Sequence, residues 1–219
     1  MIIMQTSDAA VRRSYLETQG LAKVIFSYEG DDFDCVQYHP KGIKGAVLVF
    51  KSFYVRPRAD FGLPGGMMPE LDSHRPSPAN PGPLTSRFSP WHACGADYGS
   101  YSAGMRRCSN LRLVSAVCRL APGDGDTQAA ARQWEELFGV PREGDELAFT
   151  NMRMMFTKGE QDKAEGLESI TIAVEGEERF NAILDAAREE GLCGDGWINM
   201  LRIKWYFVLI GEGSGKSKL

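Results

Sequence analysis

From residue 111 onward the apolar positions change their spacing in a fixed order, and they do so twice. Residues 111–120 alternate, with Leu111, Leu113, Ser115 and Val117 on one face and Val114, Ala116 and Cys118 on the other. That period of two is what a half-buried strand requires. Pro122-Gly-Asp-Gly-Asp126 then ends the strand and caps a helix over 126–138, in which Ala130, Trp134, Leu137 and Phe138 fall at i, i+4, i+7 and i+8. Gly139 stops that helix. Residues 146–150 and 152–157 read as a hairpin about Asn151. The second round opens with a strand over 167–174, and Phe180, Ile183, Leu184 and Ala187 make the next helical stripe, stopped by Gly191. Strands over 197–200 and 201–210 close it.

The first hundred residues are less regular. Residues 1–20 are polar, with a short helix suggested around 9–17; 21–28 is strand-like, rich in β-branched and aromatic residues, and 33–38 suits a strand or a short helix. Residues 46–65 read either as a strand with an Arg-Pro-Arg tail or as an insertion, since their removal would join Gly45 smoothly to Gly66. The stretch 69–101 carries Pro76, Pro78, Pro81, Pro83 and Pro90, which no helix or interior strand tolerates. Trp91, Tyr98 and Tyr101 favour an ordered arm there over an interdomain linker.

Strands and helices in this order predict an α+β fold in which paired βαβββ modules form a curved mixed sheet with helices on its outer face. Three regions are expected: a partial N-terminal module with a Pro-rich arm over 1–109, a paired βαβββ domain over 110–212, and a disordered tail over 213–219. Composition narrows the partners. The 219 residues carry a net charge of −4 with scattered Lys and Arg, which argues against a general nucleic-acid binder. No apolar run is long enough to cross a membrane, and the start of the chain has no basic, then apolar, secretory pattern. The five cysteines, Cys35, Cys94, Cys108, Cys118 and Cys193, have no C-x-x-C spacing and read as reduced thiols. A cytoplasmic protein is expected, with the terminal Ser-Lys-Leu matching a peroxisomal address. Gly-Ser-Gly-Lys-Ser near the end lacks the earlier Gly and the following helix of a phosphate-binding loop.

The segment Arg132-Gln-Trp-Glu-Glu-Leu-Phe-Gly-Val140, after a strand and before a hairpin, resembles the helix end of the vicinal oxygen chelate superfamily, which includes glyoxalase I and the extradiol dioxygenases. Leu167-Glu-Ser-Ile-Thr-Ile-Ala-Val174, its helix, Gly196-Trp-Ile-Asn-Met200 and Lys204-Trp-Tyr-Phe-Val208 are similar to a second module of that family. Gly66-Met-Met-Pro-Glu-Leu-Asp72 looks like the last strand of a further module, where the family often places a Glu ligand. The phrases around it look most like glyoxalase-like proteins of filamentous fungi. Metal-using members take His, Glu or Gln from the first and last strand of each module. In the C-terminal pair the corresponding positions are Asn110 or Arg112, Glu168 or Ser169, and Tyr206 or Phe207, which supply no His, so a standard metal site is not expected there.

Candidate chemistry therefore falls in the N-terminal half, which holds all three histidines, His39, His74 and His92. In an extended chain Glu70, Asp72 and His74 share one side and could hold a divalent ion; the alternative is a solvated strand end before the Pro-rich stretch. If a metal binds, Glu70 and His74 are the expected ligands, with Asp72 or His39 completing the shell. His39, before Pro40, otherwise reads as a surface turn residue, and a His92–Cys94 nucleophilic pair lacks a third, orienting group. Trp197, Met200, Trp205 and Met154 could line an apolar ligand pocket, or be ordinary core. The expected function is a glyoxalase-like, small-molecule-binding protein with no cofactor and the capacity to form a homodimer. The alternative is a metal-dependent lyase, isomerase or dioxygenase acting on a small oxygenated substrate.

Overall fold

A computed structural model describes residues 1–47, 67–78, 81–83 and 97–211. The chain divides into two units, Met1–Pro40 with Met68–Ser109, and Lys41–Met67 with Asn110–Leu219. The segment after Pro40 thus leaves the first unit and returns at Met68. Most of 46–65, whose status the sequence left open, lies outside the described residues, as do His92, Cys94 and the tail from 212.

The first unit runs β1 (Ile2–Gln5), α1 (Ala9–Thr18), β2 (Val24–Glu29), β3 (Phe33–Tyr38) and β4 (Pro69–His74), followed by α2 (Tyr98–Arg107). The strand order is β1-β4-β3-β2, with β1 parallel to β4 and the other pairs antiparallel. This is a complete βαβββ round, where the sequence suggested only a partial one. The apolar run Ile2-Ile3-Met4 at its start was too short to read as a strand. Asp8 caps α1, accepting from the Val11 amide at 2.8 Å, and Leu16, Val36, Tyr38 and Leu71 form a small core beneath that helix.

The second unit repeats the pattern. β5 (Leu111–Arg119), α3 (Thr127–Phe138), β6 (Arg142–Glu143), β7 (Glu146–Ala148) and β8 (Arg153–Thr157) take the order β5-β8-β7-β6. β9 (Gly166–Glu175), α4 (Glu177–Glu189), β10 (Ile198–Met200) and β11 (Ile203–Ile210) take the order β9-β11-β10. In this third round a lone bridge from Cys193 to Ile198 stands where the missing second strand would lie. The two rounds join through their first strands, β5 antiparallel to β9, into one seven-stranded sheet. The crossovers β5–α3–β8 and β9–α4–β11 connect parallel strands; the right-handed rule for such connections, with β5 and β9 antiparallel, puts both helices on one face. The result is the expected α+β fold of mixed sheets.

The two helices bury different amounts. Asp126 caps α3, accepting from the Ala129 amide, and Gly139 ends it in the left-handed region at φ 70°. Ala130, Ala131, Trp134, Leu137 and Phe138 are all buried. The α4 stripe faces inward at the same spacing, yet only Ala187 is buried and Phe180 is half-buried, against the burial its stripe predicts. The third round has one strand fewer to cover it. A short strap, 41–47, seals α3 instead. The Trp134 indole donates to the Lys44 carbonyl at 2.9 Å, Gln133 bonds both Gly42 and Lys44, and Lys44 pairs with Asp124. Gly45, at φ 75°, must be glycine, because a Cβ there would meet the Phe156 ring at 2.9 Å. Among the described residues no helix is long and apolar enough to cross a membrane.

Candidate functional site

Strand β4, Pro-Glu-Leu-Asp-Ser-His, is buried along its whole length although four of its six residues are polar. Period-two alternation sorts those residues onto two faces. Leu71 and Ser73 point toward α1, where the Ala9 amide donates to the Ser73 hydroxyl at 3.2 Å. Glu70, Asp72 and His74 point to the face opposite α1. The antiparallel register with β3 sets Gln37 opposite Glu70, Cys35 opposite Asp72 and Phe33 opposite His74. In the same way Gln5 of β1 lies opposite Asp72.

Each of these side chains is held. Gln37 donates to Glu70 Oε2 at 2.6 Å. His74 Nδ1 is 2.8 Å from Gln5 Oε1, and the His74 ring stacks on Phe33 with centroids 5.8 Å apart. At the centre lie Cys35, Glu70 and Asp72. The thiol sulfur and one oxygen of each carboxyl are within 4.8 Å of one another, and the three residues are 2%, 1% and 0% exposed. Burial, and then the neighbouring Glu70 charge, push the Asp72 carboxyl well above its ordinary 3.8, while a hydrogen bond from Cys35 pulls it down. Burial, followed by the charges of Glu70 and Asp72, pushes the Cys35 thiol up.

Held beside Glu70 in so dry a site, Asp72 is pushed toward its neutral form unless a cation balances its charge. Metal–ligand bonds of about 2.0–2.3 Å place any two ligand atoms of one ion at most roughly 4.6 Å apart. The observed spread needs little tightening to meet that limit. Two carboxylate oxygens and a thiolate suit a divalent ion of the Zn type. The arrangement therefore fits a cation, and the residues that would hold it are Glu70, Asp72 and Cys35.

The sequence-predicted residues distribute as follows. Glu70 and Asp72 come together as expected, on a buried face and not on a solvated strand end. His74 shares the face but stands outside the tight group, engaged with Gln5 and Phe33. His39 follows β3, with its amide donating to the Lys23 carbonyl, and is outside the group as well. Cys35 and Gln37 were missed. Their alternation in Phe-Asp-Cys-Val-Gln-Tyr hinted at one shared face, but only the register with β4 brings them to the carboxyls.

Of the four residues suggested as a ligand pocket, Met154 stands apart from Trp197, Met200 and Trp205, which share the β10–β11 hairpin and its approach. Register aligns Met154, Ala116, Ile170 and Trp205 across the second sheet on its helix-bearing face, so Met154 and Trp205 lie about three strand spacings, roughly 14 Å, apart. Met154 is fully buried near α3. The Trp205 indole donates to the Met200 carbonyl at 3.1 Å, and Trp197 packs under Lys204, whose ammonium is 5.5 Å from its ring centroid. On the other face of that sheet Glu168 is occupied by the Arg119 guanidinium at 2.5 Å and by the Thr157 hydroxyl at 3.0 Å, while Arg112 faces Glu175.

No model of a known protein family matches this chain, and no curated protein is significantly similar to it. Among solved structures it is similar to a hypothetical protein from Staphylococcus aureus, at 11% identity and a TM-score of 0.42, over 95% of this chain and 64% of that one. This chain thus spans less than two thirds of that protein's length. A likeness at that score carries no argument, and the functional reading rests on this chain's own residues.

Proposed function

We propose that this chain is a glyoxalase-like protein of the vicinal oxygen chelate type, a metal-dependent lyase, isomerase or dioxygenase for a small oxygenated organic molecule. Its site is the face of the first sheet opposite α1, with a divalent cation held by Glu70, Asp72 and Cys35. The observation that carries this reading is the buried trio itself, three ligand-bearing side chains within 4.8 Å of one another. The β1-β4-β3-β2 order, repeated in the later rounds, supports the family resemblance. A cation bound there supplies Lewis-acid polarisation of substrate oxygens. The chain's own residues do the positioning. Gln37 fixes the Glu70 carboxylate, and Gln5 with Phe33 fixes the His74 ring at the edge of the trio. A cytoplasmic or peroxisomal location belongs to the same proposal, and imaging of an N-terminally tagged chain tests it.

A second reading, a metal-free small-molecule binder, is favoured by one observation. Burial and the adjacent Glu70 charge push Asp72 toward its neutral form, so a proton can stand where the cation would. Elemental analysis separates the two. The purified chain is measured as isolated, then after mild chelation and reloading with Zn²⁺, Mn²⁺, Ni²⁺ or Fe²⁺. One ion per chain, lost in Glu70→Gln and Asp72→Asn and weakened in Cys35→Ser, is expected. Tight one-to-one metal that survives all three substitutions overturns the assignment, and a chain that takes up no metal under any loading leaves the metal-free reading.

A further inference from the structure

Strand β2, Val-Ile-Phe-Ser-Tyr-Glu, is built the wrong way round for a strand that only covers α1. Its register with β3 sets Ser27 opposite Val36 and Glu29 opposite Asp34, and sets Phe26 opposite Gln37 and Tyr28 opposite Cys35. Directly opposed residues share a face. Val36 belongs to the small core beneath α1, so Ser27 and Glu29 turn to that side, where Arg13 of α1 binds both. The two aromatic rings turn to the other side, the face of Gln37, Glu70, Cys35 and Asp72.

The rings are not core there. Phe26 is 50% exposed and Tyr28 46%, whereas Cys35 and Asp72, one and two strands further in, are buried. Tyr28 is nonetheless held in place. A Cβ on Gly30 would meet the Tyr28 ring at 2.6 Å, so the ring lies over a position that glycine leaves open. The Tyr28 and Phe33 centroids are 4.9 Å apart with the rings tilted by 33°, and Phe33 in turn stacks on His74. Three rings thus step across the face from β2 to β4. At about 4.8 Å between neighbouring strands, Phe26 and Tyr28 stand roughly 10 Å from Glu70 and Asp72. Flat apolar walls beside a few buried polar groups are what a small-molecule site requires, the walls for area and the polar groups for orientation.

We propose that Phe26 and Tyr28 are the specificity shelf of this site and that its substrate is bipartite. An oxygen-bearing head meets the cation at Glu70, Asp72 and Cys35. A separate flat apolar arm, an aromatic ring, lies over β2 about 10 Å away. This assignment rests on the metal-dependent reading of the site and adds to it the size and chemistry of the substrate. A molecule that is all head, such as a short-chain oxo acid, fills the cation end and leaves both rings wet. A molecule with the arm covers them and removes their apolar surface from water.

Titration calorimetry of the Zn²⁺-loaded full chain with two hydroxamates tests it. Acetohydroxamate offers paired oxygens alone, and phenylbutanohydroxamate offers the same pair with a phenyl ring on a flexible arm. The wild type is expected to bind the second at least about tenfold more tightly. In Phe26→Ala and Tyr28→Ala, and most in the double variant, that ratio should fall below about threefold with unchanged far-ultraviolet circular dichroism. Taking the ratio within each variant cancels any general change at the cation. Tyr15→Ala removes a comparably exposed ring from α1, on the other side of the sheet, and should keep the wild-type ratio. Equal affinities in a wild type that holds one Zn²⁺ overturn the shelf and leave the metal assignment standing. So does a ratio that survives the double variant or falls equally in Tyr15→Ala, and so does a Zn²⁺-loaded chain that binds neither hydroxamate. A chain that takes up no Zn²⁺ overturns the metal-dependent reading itself, and the shelf with it.

Discussion

The faces of the two sheets opposite α1 and opposite α3 both carry buried charge, and they balance it differently. On the second sheet Arg119 is 9% exposed, and its guanidinium meets Glu168 at 2.5 Å, with Glu160 3.6 Å away. Thr157 completes the Glu168 carboxylate. Positive meets negative within the chain, so the charge is balanced from inside, although the buried Arg119 Nε makes no hydrogen bond among the described residues. On the first sheet Glu70 and Asp72 meet a thiol and an amide, which lend hydrogen bonds but no positive charge. One topology thus supports a closed electrostatic unit in one place and an open one in another. An open unit is completed by a proton or by a cation, and this asymmetry is why the functional proposal falls on the first sheet.

Removing a charge on each side tests the contrast, and the closed unit should suffer most. Glu168→Gln leaves Arg119 buried beside a neutral partner, and about 2–4 kcal/mol of stability should be lost, somewhat below a fully buried pair because Glu168 retains some exposure. A denaturant midpoint unchanged from wild type would show that Glu160 takes over and that the unit is not closed. Asp72→Asn should behave in the opposite way in the presence of chelator. Because folding raises the Asp72 value above 3.8, the folded state holds an extra proton between the unfolded and folded values. Its contribution to stability is therefore greatest at low pH and falls as pH rises through the folded value. The variant should match wild type near pH 4 and equal or exceed it at about pH 8. A variant less stable at every pH would mean that Glu70, Asp72 and Cys35 are already a satisfied network. The smallest effect is expected from Thr157→Val, which removes one exposed hydrogen bond and should cost less than about 1 kcal/mol in urea unfolding.

What could be read in advance follows from the range of the signal. The α3 stripe and its stops, Asp126 and Gly139, are local, and they place the helix to within a residue. The α4 stripe is as regular, yet Phe180 is only half-buried, because burial depends on how many strands lie beneath, and the third round is a strand short. Glu70 and Asp72 stood out as alternating acids in an extended run. Their partner Cys35 did not, because it lies 37 residues earlier than Asp72 and reaches it only through strand register, which a one-residue slip would have undone. The same register sets Met154, buried in the core, apart from the half-buried Trp205. Strand β1 escaped notice because four residues carry too little periodicity to separate a strand from a loop.

The strap that seals Trp134 imposes an order on biosynthesis. The Lys44 carbonyl and the indole it accepts from are 90 residues apart in the chain. At roughly 5–20 residues per second, a ribosome delivers the second partner some 5–18 seconds after the first. In that interval β4 is synthesised and the first sheet can close, while the strap between β3 and β4 still waits for α3. A ribosome stalled anywhere between Arg75 and Asp126 therefore holds a nascent chain in which every strand of the first sheet has been synthesised but whose strap has no α3 to seal.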